Sequence, residues 1–545
     1  MTVLHIAHPS LDERAEHGRQ AREHTPLDSH TGWRPATDRP DPVALLDEQN
    51  RTREQDLVPV RHGRMMASPF TFYRGAAAVM AADLKDTPTA GLDAQLCGDA
   101  HLSNFGAFAS PERKLLFDLN DFDETLPGPF EYDVKRMAAS FTIAARNNGF
   151  SKADTREATM ASVTAYREAM AGFGQMGTLD VWYAHLDEDE IMASIRESVA
   201  AAGQPDKPGK KGAKGKAGKS AKDKSGKNGK ADHALDKAAK TAEKTLQKAH
   251  SHDSLQALAK LAEQVDGSYR IVSDPPIVVP LREVTATYGF SADETDQILR
   301  DQFRAYRATL QADRRHLLER FQFVDAARKV VGVGSVGTRA FIVLLQGRDS
   351  HDPLFLQIKE ATASVLEKYL PKSRYKEPGE RVVQGQRMMQ AASDIFLGWT
   401  QGVAADRHYY WRQLRDMKGS AVVEGQRLMQ SASDVLLGWI RTSGMDGVSR
   451  DYYVRQLWDG KRSLEVEAMG PAELARYGAV CGWTLARAHA RSGDREAIAA
   501  YLGGGPTFDE AIADFAEAYA DQNERDYESL LEEVRAGRLE VREGL

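Results

Sequence analysis

Apolar residues recur at helical spacing over Ala234 to Val265, over Ser291 to Phe323, and again from Pro471 to about Glu540, with a break at Gly503 to Pro506. The middle and the C-terminal part of the chain are therefore expected to be helical. From Val330 the period shortens to two, and VVGVGSVGTRAFIVLLQGRDSHDPLFLQIKEA predicts strand, glycine turn, strand, polar turn, strand. Residues 1–57 show little periodicity and carry Pro26, Pro35, Pro40 and Pro42, which predicts an irregular arm that wraps the body or is disordered, with one short helix near Val43 to Arg51. Gln204 to Lys230 alternates Gly, Lys, Ala and Ser, cannot bury apolar surface, and reads as a flexible linker.

One segment occurs twice. VVQGQRMMQAASDIFLGW at 382–399 matches VVEGQRLMQSASDVLLGW at 422–439 at 13 of 18 positions, and RHYYWRQLRDMKGS at 407–420 matches RDYYVRQLWDGKRS at 450–463 at 9 of 14. Two copies are too few for a solenoid. One copy is expected to fill the structural slot while the other is an addition.

Composition narrows the class. With 545 residues, 42% apolar and 28% charged, the chain exceeds one core, and two or three lobes are expected. No apolar run approaches the eighteen or so residues that span a bilayer, and no signal-peptide pattern opens the chain, so a cytoplasmic protein without a membrane partner is expected. Cys97 and Cys481 are too few for a disulfide scaffold or a paired-cysteine zinc site and read as packing residues. The net charge of -7 hides an asymmetry: Lys207 to Lys230 holds ten lysines against one acid, which leaves -16 on the remainder. A body this acidic argues against general nucleic-acid binding.

Two constellations carry chemistry. QLCGDAHLSNFGAF at 95–108 brings an apolar strand into Gly98-Asp99, with Asn104 five residues on, and KLLFDLNDFDETLPGPFEYDVKRMAAS at 114–140 adds Asp118, Asp121 and Asp123. Carboxylate and amide oxygens gathered in this way suit a hard cation such as magnesium, with phosphate and water completing the shell. The second is Gly332-Val333-Gly334-Ser335-Val336-Gly337, followed by β-rich sequence rather than the helix a dinucleotide fold needs. A glycine turn between strands lays backbone N–H groups over phosphates, and Lys359, one strand further on, is available to the α and β phosphates.

At these residues a resemblance becomes specific. GDAHLSN resembles the catalytic loop of aminoglycoside and choline kinases, with Cys97 where that family has its first histidine, and NDFDETLPGPFEYDVKRMA resembles their metal-binding segment and the aspartate that follows it. The resemblance implies Asp99 as catalytic base, Asn104, Asp121 and Asp123 as magnesium ligands, Asp133 and His101 as structural support, and Gly332, Gly334, Ser335, Gly337 and Lys359 as nucleotide-binding residues. Glu367, favoured over Glu380, would pair with Lys359. HARSGD at 489–494 resembles the helix end that leads into the catalytic loop of an unpermuted kinase, and Arg74 and Arg387 are candidate phosphate or carboxylate contacts. Over nearly its whole length the chain also resembles the bacterial domain of unknown function 2252 family, on SPFTFYRGAA, GDAHLSNFG, LQIKEA, YYVRQL and LARAHARSGD.

The order is reversed relative to ordinary kinases, because Asp99 and Asp121 precede Gly332 and Lys359 by more than 200 residues. The implied fold is α+β: a protein-kinase-like, two-lobed, circularly permuted arrangement, with a mainly helical large lobe and a small antiparallel sheet lobe. Permutation is tolerable where termini lie close together at the surface. The implied divisions are an arm (1–57), the catalytic and metal-loop half of the large lobe (58–200), the linker (204–230), a helical segment (231–323), a nucleotide-binding small lobe holding both repeat copies (324–465, with 382–420 and 422–463), and the C-terminal helices of the large lobe (466–545).

The implied function is ATP- and magnesium-dependent phosphoryl transfer to a hydroxyl acceptor, a small molecule that the sequence does not identify. Three alternatives stay open: a nucleotide-binding pseudokinase or nucleotidyl transferase; a metal-dependent phosphoester hydrolase built on Asp99, His101, Asp118, Asp121 and Asp123; and a scaffold driven by the lysine linker.

Overall fold

The structure is a computed structural model, and the described residues are 8–112, 114–187, 258, 261–265, 268–288, 292–330, 332–402, 408–412, 437–443, 449–456 and 466–542. The linker and residues 422–436 of the second repeat copy lie outside them, as does nearly all of the helix expected from Ala234.

The N-terminal arm is more ordered than its weak periodicity suggests. Helices α1 (Leu11–His24) and α2 (Pro42–Asn50) form there, each started by a local cap: Ser10 and Glu13 make a capping box, and the Asp41 carboxylate accepts from the Ala44 N–H. Caps of this kind register as single polar residues and leave no hydrophobic period to read. The arm wraps the body, with the Arg22 Nε donating to the Tyr501 carbonyl at 2.6 Å.

Helices α3 (Val58–Met65), α4 (Pro69–Gly75) and α5 (Ala77–Leu84) lead into four short strands, β1 (Asp93–Leu96), β2 (Phe105–Ala109), β3 (Leu115–Leu119) and β4 (Leu126–Pro129). β1 pairs antiparallel with β4, and β2 with β3 in the register Phe105↔Leu119 to Ala109↔Leu115. α6 (Phe130–Asn147) follows, buried on nearly every side, then α7 (Lys152–Phe173), α8 (Thr178–Tyr183) and β5 (Leu186–Asp187), which adds to β3.

The described chain resumes in a ribbon of β6 (Ala262–Val265) and β7 (Ser268–Ile271). This corrects the expected continuation of helix to Val265: Leu258, Leu261 and Ile271 pack with Ile342, Leu344 and Phe355, and tertiary burial overrides local spacing. After β8 (Val278–Pro280) comes α9 (Leu281–Tyr288), ahead of the helical zone expected from Ser291, and then α10 (Ala292–Arg307) and α11 (Ala312–Leu318) within it. Then the expected strands follow: β9 (Gln322–Lys329), a 3-10 turn over Val333–Ser335, β10 (Ala340–Gln346) and β11 (Pro353–Ala361). β8, β9, β10 and β11 are antiparallel neighbours in that order. α12 (Pro378–Met389) then leads into the repeat strands β12 (Gly398–Gly402), β13 (His408–Arg412), β14 (Leu437–Ser443) and β15 (Ser449–Gln456).

Both repeat copies enter this sheet, so neither is a detached appendage. β11 pairs with β13 from Gln357↔Arg412 to Ala361↔His408, and with β15 at Leu356↔Gln456. By the repeat, Arg455 is the counterpart of Arg412, which stands opposite Gln357, and Gln456, one residue on, stands opposite Leu356. Trp399 pairs with Tyr410 and also with Tyr453, the counterpart of Tyr410 in the other copy. Both hairpins thus address β11 and β12 in one common register.

Helices α13 (Pro471–Ala490), α14 (Arg495–Leu502) and α15 (Thr507–Arg535) complete the chain. α13 lies against α7 so closely that a Cβ on Gly482 would stand 2.0 Å from the Ser162 carbonyl oxygen. The core is continuous through α6, α7, α13, α14 and α15 and extends to Leu356, Val382 and Val383 on and beside the sheet. The molecule is α+β, with small antiparallel sheets set against helices. Among the described residues no helix is long and apolar enough to cross a membrane.

Candidate active site

Strand β1 delivers Cys97, Gly98 and Asp99 to the end of α6. Gly98 has φ +82, and a Cβ there would meet the Glu124 carbonyl oxygen at 2.2 Å, so only glycine lets this loop lie against the loop after β3. Asp133, in the first turn of α6, accepts from the Cys97 and Gly98 N–H groups at 2.7 and 3.0 Å. His489 Nε2 stands 3.3 Å from the same carboxylate, and its Nδ1 is 2.9 Å from the Tyr166 hydroxyl. Asp133 therefore braces the Asp99 loop. The HARSGD segment meets this region too: the Ser492 hydroxyl accepts from the Gln95 N–H at 3.1 Å, so the end of α13 abuts β1.

Asp99 is held by Arg136, whose Nε and Nη2 reach its Oδ1 at 2.8 and 2.7 Å. Its Oδ2 lies 3.7 Å from His101 Nε2. Burial pushes the Asp99 carboxyl up to about 6 against the pull of Arg136. Burial first, then the charges of Arg74 and Arg136, hold the His101 imidazole well below its ordinary range. The Asn104 amide donates to the Asp99 carbonyl at 2.8 Å, and the Asn120 N–H donates to the Asn104 carbonyl at 2.8 Å, which joins the Asp99 loop to the strand bearing the acids.

Asp118 is separate from these. It is fully buried in an ion pair with Arg487 at 2.5 Å and accepts from the Ala391 N–H at 2.7 Å. It is a structural junction between β3, α13 and the segment after α12, not a member of an open acid cluster. Asp121 and Asp123 lie on the loop beyond β3, where the Asp123 N–H donates to Asp121 Oδ1 at 3.2 Å.

The second constellation meets the first here. Lys359 Nζ, on the buried strand β11, lies 3.1 Å from Asp123 and 3.7 Å from Asp121, and the Ser335 hydroxyl lies 3.4 Å from Asp123 and 3.5 Å from Lys359 Nζ. Residues 212 and 236 positions apart in sequence are thereby in contact. Gly337 has φ +83. The turn is fixed from outside by Arg53 of the N-terminal arm, which donates to the Val336 and Gly334 carbonyls at 2.5 and 2.9 Å. Gly332 begins the turn, and a Cβ there would meet nothing within 4 Å.

The expected pairing of Lys359 with Glu367 is corrected. Glu367 caps the 3-10 turn over Val365–Lys368 through the Ser364 N–H at 3.3 Å and lies 3.8 Å from Arg381, so the carboxylates beside Lys359 are those of Asp123 and Asp121. The capping box formed with Ser364 draws Glu367 to its own turn. Arg387 stands apart from the site, its guanidinium 6.0 Å from the Trp399 ring centroid.

Three site residues were assigned no role from the sequence. Arg381 of α12 donates to the carbonyls of Thr125, Asp123 and Thr362, at 2.6, 2.8 and 2.8 Å, and so ties the acid loop to the end of β11. Arg53 and Arg136 are the others. The legible signal for Arg136 was a cation inside an apolar helix, VKRMAASF, because a charge at such a place needs a buried partner. Glu124 belongs to the same junction: its carboxylate accepts from the Val365 N–H at 2.7 Å, and burial raises its pKa to about 7.

The sequence matches the family described as "Uncharacterized protein conserved in bacteria (DUF2252)" over residues 53–214, 213–421 and 418–533. The chain belongs to the DUF2252 family. The DUF2252 match is broken at 213–214, inside the Lys/Gly linker, and at 418–421, between the two repeat copies. No curated protein and no solved structure matches the chain.

Proposed function

We propose that this DUF2252 protein is an ATP- and magnesium-dependent phosphotransferase of circularly permuted, protein-kinase-like architecture, acting on a hydroxyl acceptor. The observation that carries this reading is the meeting of Lys359 and Ser335 with Asp121 and Asp123 across more than 200 residues of chain. A lysine on a buried strand, a glycine turn between strands and a pair of carboxylates form the set that phosphoryl transfer requires for positioning and charge neutralisation. The abutment of the end of α13 on β1 supports the permutation, since that helix end would lead into the Asp99 loop if the chain were joined there.

The residues fit the cation. Among the described residues no three His, Cys, Asp or Glu side chains gather into a metal cluster. The donors proposed for magnesium are instead the carboxylates of Asp121 and Asp123, which lie together on the loop beyond β3, with Asn104, whose carbonyl accepts from Asn120 beside that loop, oxygen ligands of the kind magnesium prefers. Bound magnesium would neutralise charge on the transferring phosphoryl group. Lys359 and the turn's N–H groups would hold the nucleotide phosphates. Asp99, orientated through Oδ1 by Arg136, keeps Oδ2 to accept the acceptor's hydroxyl proton, and a carboxyl with a pKa near 6 is suited to that exchange. The hydrolase reading is less well supported, because Asp118 is committed to Arg487 and His101 is buried.

A thermal-shift titration with ATP, with and without magnesium, tests the reading. Stabilisation is expected to need magnesium and to vanish in Lys359→Ala and Asp121→Ala. No shift of the wild-type protein with any nucleotide would overturn it.

A further inference from the structure

Helix α4 stands between the two halves of the site. Its start is fixed by the Ser68–Thr71 capping box with Pro69 at the first position, and its end by the Arg61 guanidinium, which donates to the Gly75 carbonyl at 2.9 Å. Tyr73 is locked to Arg136 by three contacts: its hydroxyl donates to the Arg136 carbonyl at 2.8 Å, its carbonyl accepts from Arg136 Nη2 at 2.8 Å, and its ring lies 3.9 Å beneath the guanidinium. Since Arg136 holds Asp99, the backbone at Tyr73 is fixed relative to the catalytic loop.

The backbone of the next residue meets the other half. The Arg74 carbonyl packs against the glycine turn, 3.3 Å from where a Cβ on Gly334 would stand. One residue further along the helix, the Arg74 side chain is half-buried, with its guanidinium carbon 5.9 Å from the Phe70 ring centroid. Burial foremost, and after it the charge of Arg74, lowers the pKa of His101 on the Asp99 loop and of Arg64. A cation is thus carried to the junction of the glycine turn and the Asp99 loop by a helix that both halves hold. In a site that binds ATP by that turn, this junction is where the terminal phosphoryl group lies between nucleotide and acceptor.

Resting on the phosphotransferase reading, we infer that Arg74 contacts the γ-phosphate and lets the site distinguish a nucleoside triphosphate from a diphosphate. A planar guanidinium suits this role, because it donates two parallel hydrogen bonds to phosphate oxygens.

The experiment is calorimetric titration of wild-type protein, Arg74→Ala and Arg74→Lys with ATP and with ADP, both with magnesium. The expected result is a loss of about tenfold in ATP affinity in Arg74→Ala with ADP affinity unchanged, and partial recovery in Arg74→Lys. Retention of the wild-type ATP-to-ADP ratio in Arg74→Ala would overturn the inference while leaving the phosphotransferase reading intact. Absence of nucleotide binding by the wild-type protein would overturn both. Should Arg74→Ala not fold, Arg74→Gln takes its place, with the same ratio as the criterion.

Discussion

Asp99 and Lys359 are both charges held inside the protein, yet they are held in different ways. Asp99 is bound by groups close in sequence: Arg136, 37 residues on, grips its side chain, and Asp133, at most 36 residues on, grips the loop that carries it. Lys359 meets carboxylates 236 and more residues away, and those carboxylates are about a quarter exposed. One side of the site is a prebuilt pair within a helical body, its arginine 3% and its carboxylate 19% exposed. The other is a contact between two distant segments, at an edge open to water. On the proposed phosphotransferase reading, rigidity at Asp99 and openness beside Lys359 suit a site that admits a nucleotide and then holds one carboxylate still.

Removing a partner from each pair tests this difference. In Arg136→Ala the Asp99 carboxylate loses a buried, bidentate partner, and a loss of about 3 kcal/mol of stability is expected in denaturant unfolding. Pairing Arg136→Met with Asp99→Asn, which removes both charges, should restore most of it. Lys359→Met leaves two water-accessible carboxylates, so a loss of about 1 kcal/mol is expected. Equal losses in the two single variants would erase the distinction.

The same contrast explains what could be read in the sequence. The Asp99 loop, Asn104, Asp121 and Asp133 stand in short, ordered strings whose spacing follows from local geometry, and the glycine turn announced itself through the strands around it. Glu367 misled because a serine three residues before it supplies a cap, and a capping carboxylate cannot also reach a lysine on the sheet. Arg53, Arg136 and Arg381 bind backbone carbonyls or one buried acid, and such partners have no residue-type signature. Of the arm's helices, α2 falls where a short helix was expected near Val43 to Arg51, while α1 escaped notice because its cap is local and its contacts are with a helix at the far end of the chain.

A smaller effect should follow pH. Glu124, at the junction between the acid loop and β11, has a pKa raised by burial to about 7, and Asp99 one raised to about 6. Between about pH 4.5 and 7 the folded protein keeps protons that the unfolded chain has released, so stability falls as pH rises through that window. The melting temperature is expected to be lower at pH 7.5 than at pH 5 once other groups are allowed for, and Glu124→Gln should narrow the gap. An unchanged gap would mean that the Glu124 carboxyl titrates at its ordinary value and that this junction is wetter than its packing indicates.

The smallest effect is expected where the sequence change is largest. Excising residues 400–439 joins Trp399 to Ile440 and removes one repeat unit. The two hairpins present the same register, Gln456 meeting Leu356 one step beyond where Arg412, the counterpart of Arg455, meets Gln357, and Tyr410 and Tyr453 both standing opposite Trp399. The join therefore keeps α12 and β11, the elements that carry Arg381 and Lys359, and offers them a strand already matched to their edge. Backbone pairing of this kind depends on register more than on which copy supplies it. A change in melting temperature of no more than about 3 °C is expected, with the magnesium- and ATP-dependent shift preserved. Loss of folding on excision would show instead that the two hairpins complete the sheet together, and that the nucleotide side of the site depends on both.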